Sequence, residues 1–229
     1  AIGYVTNLKE LAQWIKETFY GYQNDISQTE WQVKRVLRFL IDEGMIENDG
    51  ATLWSTAFGQ RVSQLYIDPL SAVIIRNGLG KANDSDALKL NEVAYFQLIA
   101  TTPDLRGLFL RQKDQTELQQ FLGDNESSFL VEVPESWSPD FEFFLMSLKT
   151  ALLLESWVNE VTEERIIDRF NTGSGDILYI TDSAKWLLYA AHEISKLFSF
   201  TAVKKTLHEL HLRVDHGIRK ELVPLVQLR

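Results

Sequence analysis

Met45-Ile46-Glu47-Asn48-Asp49-Gly50-Ala51-Thr52-Leu53-Trp54 is the stretch whose reading decides the fold. Two short segments, Met45 to Glu47 and Ala51 to Trp54, flank Asn48-Asp49-Gly50. A glycine in an Asn/Asp turn accepts the positive φ that a tight hairpin needs. Reading backward, Gly44 stops a helix that carries Val33, Val36, Leu37, Leu40 and Ile41 at helical spacing. Ser27 with Glu30 gives that helix a capping-box start. Further back, Leu8, Leu11, Ala12, Ile15 and Phe19 predict one helix over residues 6–20. Reading forward, a helix is expected from about Thr56 to Tyr66.

Helix, helix, two-stranded ribbon, helix is the outline of a winged-helix domain, here assigned to residues 1–68. Asp68-Pro69 then opens another helix, with Asp as N-cap and Pro at the first helical position. Helical spacing recurs over 91–100, 114–122, 139–158, 163–170 and 177–198, then over 202–214 and from 218 onward, split at Gly217. Only Phe129 to Val133 offers strand-like alternation, and Asn171-Thr172-Gly173-Ser174-Gly175 reads as a breaker. The expected fold class is mainly α: a winged-helix domain with a small two-stranded β-ribbon, followed by a helical bundle over 69–229.

The formal net charge of the 229 residues is -9, which argues against a broad basic surface for nucleic acid. Any such contact must rest on local geometry. Cysteine is absent, so disulfides and thiolate metal sites are excluded. No stretch approaches the ~18 apolar residues of a membrane span. The start, Ala1-Ile2-Gly3-Tyr4, lacks a basic region followed by an apolar run. These features together read as a cytoplasmic protein with no membrane partner.

No catalytic motif is present. Gly78-Leu79-Gly80-Lys81 is too short for a phosphate loop and reads as a helix C-terminal turn. His208 and His211 share a helix face, but no third ligand is evident, so no metal site is assigned. Glu163-Glu164 and Asp42-Glu43 read as solvated helix faces.

The segment after the breaker is the most informative. Asp176 can cap it, and residues 177–198 make a helix of about 33 Å. At about 100° per residue, Ile177, Ile180, Ala184, Leu187, Leu188, Ala191, Ile194 and Phe198 fall in one stripe of about 120°. Trp186 lies roughly 140° from the centre of that stripe, and Tyr179 within about 20° of Trp186. Asp182, Ala190 and Glu193 fall close by. Two rings two turns apart, off the core stripe, suit base stacking; a second layer of the bundle could equally cover them.

Gly175-Asp176-Ile177, followed by Ala184-Lys185-Trp186-Leu187-Leu188-Tyr189-Ala190-Ala191-His192-Glu193-Ile194, resembles the ratchet helix of the archaeal Hjm-type DNA helicases, Ski-like members of superfamily II. Thr56-Ala57-Phe58-Gly59 and Leu65-Tyr66-Ile67-Asp68-Pro69-Leu70-Ser71-Ala72 resemble the end of that family's winged helix. Leu212-Arg213 and His216-Gly217-Ile218-Arg219-Lys220-Glu221-Leu222 resemble the stretch leading to its helix–hairpin–helix domain. The resemblance implies a piece of a larger ATP-dependent 3′–5′ helicase acting on single-stranded or forked DNA in repair or replication restart. RecA-like motor lobes holding ATP and magnesium would precede the chain, a helix–hairpin–helix domain would follow it, and no cofactor is expected here.

By the same resemblance, Trp186 corresponds to the family's base-stacking tryptophan. Tyr179 stands where the family usually carries a strand-contacting arginine. Lys185 and Thr181 are contact candidates by proximity, and Arg35 and Arg38 of the winged helix are further DNA-contact candidates. Two other readings compete. A winged-helix transcription regulator with a helical sensor or dimerisation domain has limited support from Lys34, Arg35 and Arg38. A protein-interaction scaffold would bury Trp186 and Tyr179 in an interface.

Overall fold

The computed structural model describes residues 5–24, 26–84, 90–125, 128–226 and 228; the side chains of 26–29 lie outside the description. The chain divides into two compact units, one up to Pro69 and one from Leu70 onward. It is a winged helix with a small two-stranded sheet, followed by a helical bundle.

In the first unit the order is α1 (Leu8–Lys16), α2 (Phe19–Gln23), α3 (Ile26–Asp42), β1 (Ile46–Asn48), β2 (Leu53–Ser55) and α4 (Ala57–Leu65). The strands pair antiparallel, with Glu47 opposite Trp54. The turn between them closes as the sequence predicts. Gly50 takes φ +92°, and the Asp49 carboxylate accepts from Ala51 N and Thr52 N at 2.9 and 2.7 Å. Leu53 N donates to Thr6 O at 2.7 Å, so the backbone at Thr6 lies beside β2. Thr56 caps α4 by accepting from Gly59 N, and its hydroxyl also donates to Gly44 O at 2.7 Å. A Cβ at Gly59 would stand 2.1 Å from Met45 O, so only glycine lets α4 approach the ribbon this closely.

The single helix expected over 6–20 is two. Thr18 interrupts it: its hydroxyl donates to Ile15 O at 2.6 Å and accepts from Gly21 N, drawing backbone groups out of the ladder. Phe19, counted in the apolar stripe, is 73% exposed, and Val36 is also exposed. The core is Leu37, Met45, Phe58, Val62, Leu65 and Ile67. The Ser27 capping box falls on a side chain outside the described set; α3 itself begins at Ile26.

The second unit holds α5 (Pro69–Asp84, begun at the domain junction), α6 (Glu92–Ala100), α7 (Gln112–Asn125), α8 (Pro139–Val158), α9 (Glu163–Phe170), α10 (Ser174–Leu197) and α11 (Thr201–His216). A 3-10 turn (Lys220–Leu222) and the short α12 (Val223–Val226) follow. Two close pairs organise it, α6 with α8 and α10 with α11. Every residue of α6 from Val93 to Ala100 is buried, which explains its lack of a polar face.

Gly78 and Gly80 sit inside α5, not at its end. A Cβ at Gly78 would meet Leu98 at 2.5 Å, so the glycine serves close packing of α5 on α6. Phe129 to Val133 forms no strand. Phe129 instead meets Phe144 of α8 edge-on at 5.4 Å, and Leu130 is buried. Phe129 and Leu130 are buried side by side, so the alternation read from the sequence does not match the burial. No described helix is long and apolar enough to cross a membrane.

Candidate nucleic-acid interface

Helix α10 starts inside the expected breaker, at Ser174, three residues before the predicted boundary. Asn171 ends α9 in the left-handed region at φ 50°. Gly173 is the N-cap, and Asp176 acts from inside the first turn. Its carboxylate accepts from Gly173 N at 3.1 Å and from the Thr172 hydroxyl at 3.2 Å. Ile177, Ile180, Ala184, Leu187, Leu188, Ala191 and Ile194 are all buried as the periodicity requires. Phe198 falls just beyond the helix and is only half-buried.

The opposite face of α10 is open at several positions between Leu178 and Tyr189. Leu178, Tyr179, Asp182 and Tyr189 are exposed. Tyr179 is 47% exposed, and its hydroxyl accepts from Arg106 N at 3.4 Å. Trp186 is half-buried. Ala190 and Glu193, which the helical wheel places beside it, are buried. The bundle therefore covers this flank at residues 190 and 193, while Leu197, one turn on, is exposed again, and Trp186 stands beside the covered part. The sequence could not locate that cover, because the covering residues come from other helices.

Thr181 is not on this surface. It is buried, and its hydroxyl donates back to Ile177 O at 2.9 Å, with Leu178 O at 3.1 Å. Lys185 lies on the other flank and is paired with Asp215 of α11 at 2.9 Å. That hydrogen bond and the carboxylate charge raise the lysine pKa above its ordinary value. There α10, α11 and Trp157 of α8 line a cleft of 220 Å³. Arg35 and Arg38 belong to the first unit. The Arg35 guanidinium rests 5.1 Å over the Trp31 ring, and Arg38 Nε lies 4.0 Å from Asp42 Oδ2.

The second unit thus gathers Tyr179 and Trp186 on one face and Lys185 on another. Arg106, next to Tyr179, carries no periodic signal in the sequence and was not singled out by it. The two helix-face histidines do not point to a shared ligand: His208 stacks obliquely near His192 at 5.7 Å, while His211 Nδ1 lies 3.1 Å from Lys185 O.

Residues 93–217 match the model described as archaeal helicase, domain 4. The whole chain is 39% identical to an ATP-dependent DNA helicase Hel308 of Methanocella arvoryzae, covering 31% of it. It is 35% identical to the Hel308 of Thermococcus kodakarensis over 98% of this chain and 20% of that protein. It is 33% identical to the Hel308 of Pyrococcus horikoshii over 97% of this chain and 31% of that protein. The chain thus spans between a fifth and a third of the length of these relatives.

Proposed function

The chain belongs to the archaeal helicase domain 4 family, and from that premise we propose that it is the accessory, non-motor part of an ATP-dependent 3′–5′ DNA helicase of Hjm type. Single-stranded DNA runs across the open face of α10, and bases stack on Trp186 with Tyr179 two turns away. The winged helix occupies the residues up to about 68 and the ratchet bundle the rest. ATP and magnesium are held by RecA-like motor lobes of the same parent protein, which works on forked DNA in repair or restart.

One observation carries this reading. Trp186 sits at the boundary between the covered and open parts of α10, with exposed Tyr179 on the same face. An aromatic wedged against the bundle has a fixed ring plane, which lowers the entropy lost when a base stacks on it. Stacking reads no sequence, as suits a translocating strand. A net charge of -9 limits the electrostatic contribution, so binding by this chain alone is weak.

Fluorescence anisotropy of a labelled single-stranded oligonucleotide at low salt tests the reading. Trp186→Ala is expected to weaken binding about 5- to 150-fold, the equivalent of the roughly 1–3 kcal/mol of one stacked base. Duplex preference unaffected by the substitution would favour a winged-helix regulator instead.

A further inference from the structure

The open face of α10 offers rings but little positive charge. Asp182 lies between Tyr179 and Trp186 along the helix and repels phosphate. Lys185, the nearest cation on the helix, points to the other flank and is neutralised by Asp215. A strand lying on this face needs a cation from outside α10.

The loop between α6 and α7 brings one. Arg106 N donates to the Tyr179 hydroxyl, which fixes residue 106 against α10 across 73 positions of sequence. The Arg106 guanidinium lies 5.3 Å from the centre of the Phe109 ring. Arg106 is exposed, and Phe109 is 68% exposed. Among the described residues the Arg106 side chain has no carboxylate within ion-pair distance.

The backbone under these side chains is held firmly. Leu108 N donates to the Thr150 hydroxyl at 2.9 Å, and Lys149 Nζ donates to Phe109 O at 2.8 Å, both on α8. Arg111 Nη2 donates to Arg169 O at 3.1 Å, on α9. A loop tied to two helices loses little backbone freedom on binding. An exposed ring costs hydration and adds nothing to the core. A guanidinium held over it keeps all its donors available for a phosphate, or can extend a stack of bases.

We infer that Arg106 and Phe109 form a second contact point for single-stranded DNA, continuous with Tyr179, in which Phe109 stacks a base and Arg106 grips the backbone. The inference rests on the proposed strand path along α10. It assigns that strand a turn off the helix at Tyr179 toward the α6–α7 loop.

Anisotropy titrations with a fluorescein-labelled oligothymidylate across a salt series test it in the full 229-residue chain. Both side chains are exposed and the Tyr179 contact uses the main chain of Arg106, so Arg106→Ala and Phe109→Ala keep the fold, checked by thermal melts. Phe109→Ala is expected to weaken binding about fivefold or more with an unchanged salt slope. Arg106→Ala is expected to weaken binding and flatten the slope of log K against log salt by about 0.7, one phosphate contact, while Arg106→Lys retains it. Binding that falls in Trp186→Ala but matches the unaltered chain in both loop variants overturns the inference and leaves the α10 path standing. No single-strand binding by the unaltered chain, or binding indifferent to Trp186→Ala, overturns the path and the inference with it.

Discussion

Arg213 is a buried guanidinium near the end of α11 that reaches three other segments. Its Nε donates to Ile218 O at 3.3 Å, its Nη2 to Val158 O at 3.4 Å, and its Nη1 pairs with Glu92 at the start of α6. Removing one partner of a buried pair strands the other, so Arg213→Ala is expected to cost about 3 kcal/mol in denaturant unfolding. Gly217, four residues on, closes α11 at φ +59°, and a Cβ there would meet the Trp157 indole at 3.0 Å. Gly217→Ala is expected to cost about 1–2 kcal/mol for the left-handed backbone alone. The glycine's role was legible in the sequence, because a helix-ending glycine has a local cause. The burial of Arg213 was not: a basic residue in the last turn of a helix reads equally well as a solvated dipole partner. Thr181 was weighed by its proximity to Trp186, yet at about 100° per residue it falls roughly 40° from Ile177, beside the core stripe, and the structure buries it there.

At the scale of elements, the α6–α7 loop is anchored by Asp114 at the start of α7. Lys149 Nζ of α8 lies 2.6 Å from Asp114 Oδ2, and Arg111 Nη2 2.9 Å from Oδ1. Burial disfavours the charged carboxylate, but the hydrogen bonds from Arg111 and Lys149 outweigh it and hold the group far below the ordinary aspartate range. A depressed carboxylate pKa contributes stability above its unfolded value, and that contribution is lost as pH falls through the folded one. Asp114→Asn is therefore expected to cost about 3–5 kcal/mol at pH 7, leaving Lys149 buried without its partner. It should also flatten the decline of stability below pH ~3.8, read as the melting temperature across an acid series. The sequence placed α7 and α8 but not this lock, whose partners are 35 positions apart. It also merged α1 and α2, because apolar spacing continues through Thr18 while the hydroxyl that breaks the ladder does not show in the pattern.

Across the bundle, α10 and α11 meet through a seam that carries three histidines. His192 and His211 are both held below the ordinary histidine value, chiefly because burial disfavours the imidazolium. Around His192, Lys196 and His208 push the same way against Glu193; around His211, the hydrogen bond to Lys185 O and the charge of Asp215 oppose the shift. A lowered folded pKa means the unfolded chain binds more protons near pH 6, so stability falls as pH drops through ~6.5. Melting temperature is expected to decline between pH 7.5 and 5.5, and the His192→Gln, His211→Gln double variant should reduce that decline.

The sequence by itself determined the elements with local causes: the Asn48-Asp49-Gly50 turn, the helix from about Thr56, the α10 core stripe and the Gly217 stop. Each depends on backbone preferences or on spacing within one helix, which the order of residues encodes directly. Only the tertiary structure decided which faces stay open. It covered Ala190 and Glu193, sank Thr181, tied Lys185 to Asp215 and set Arg106 against Tyr179. Exposure belongs to the packing of several helices at once, so no single stretch of chain carries it.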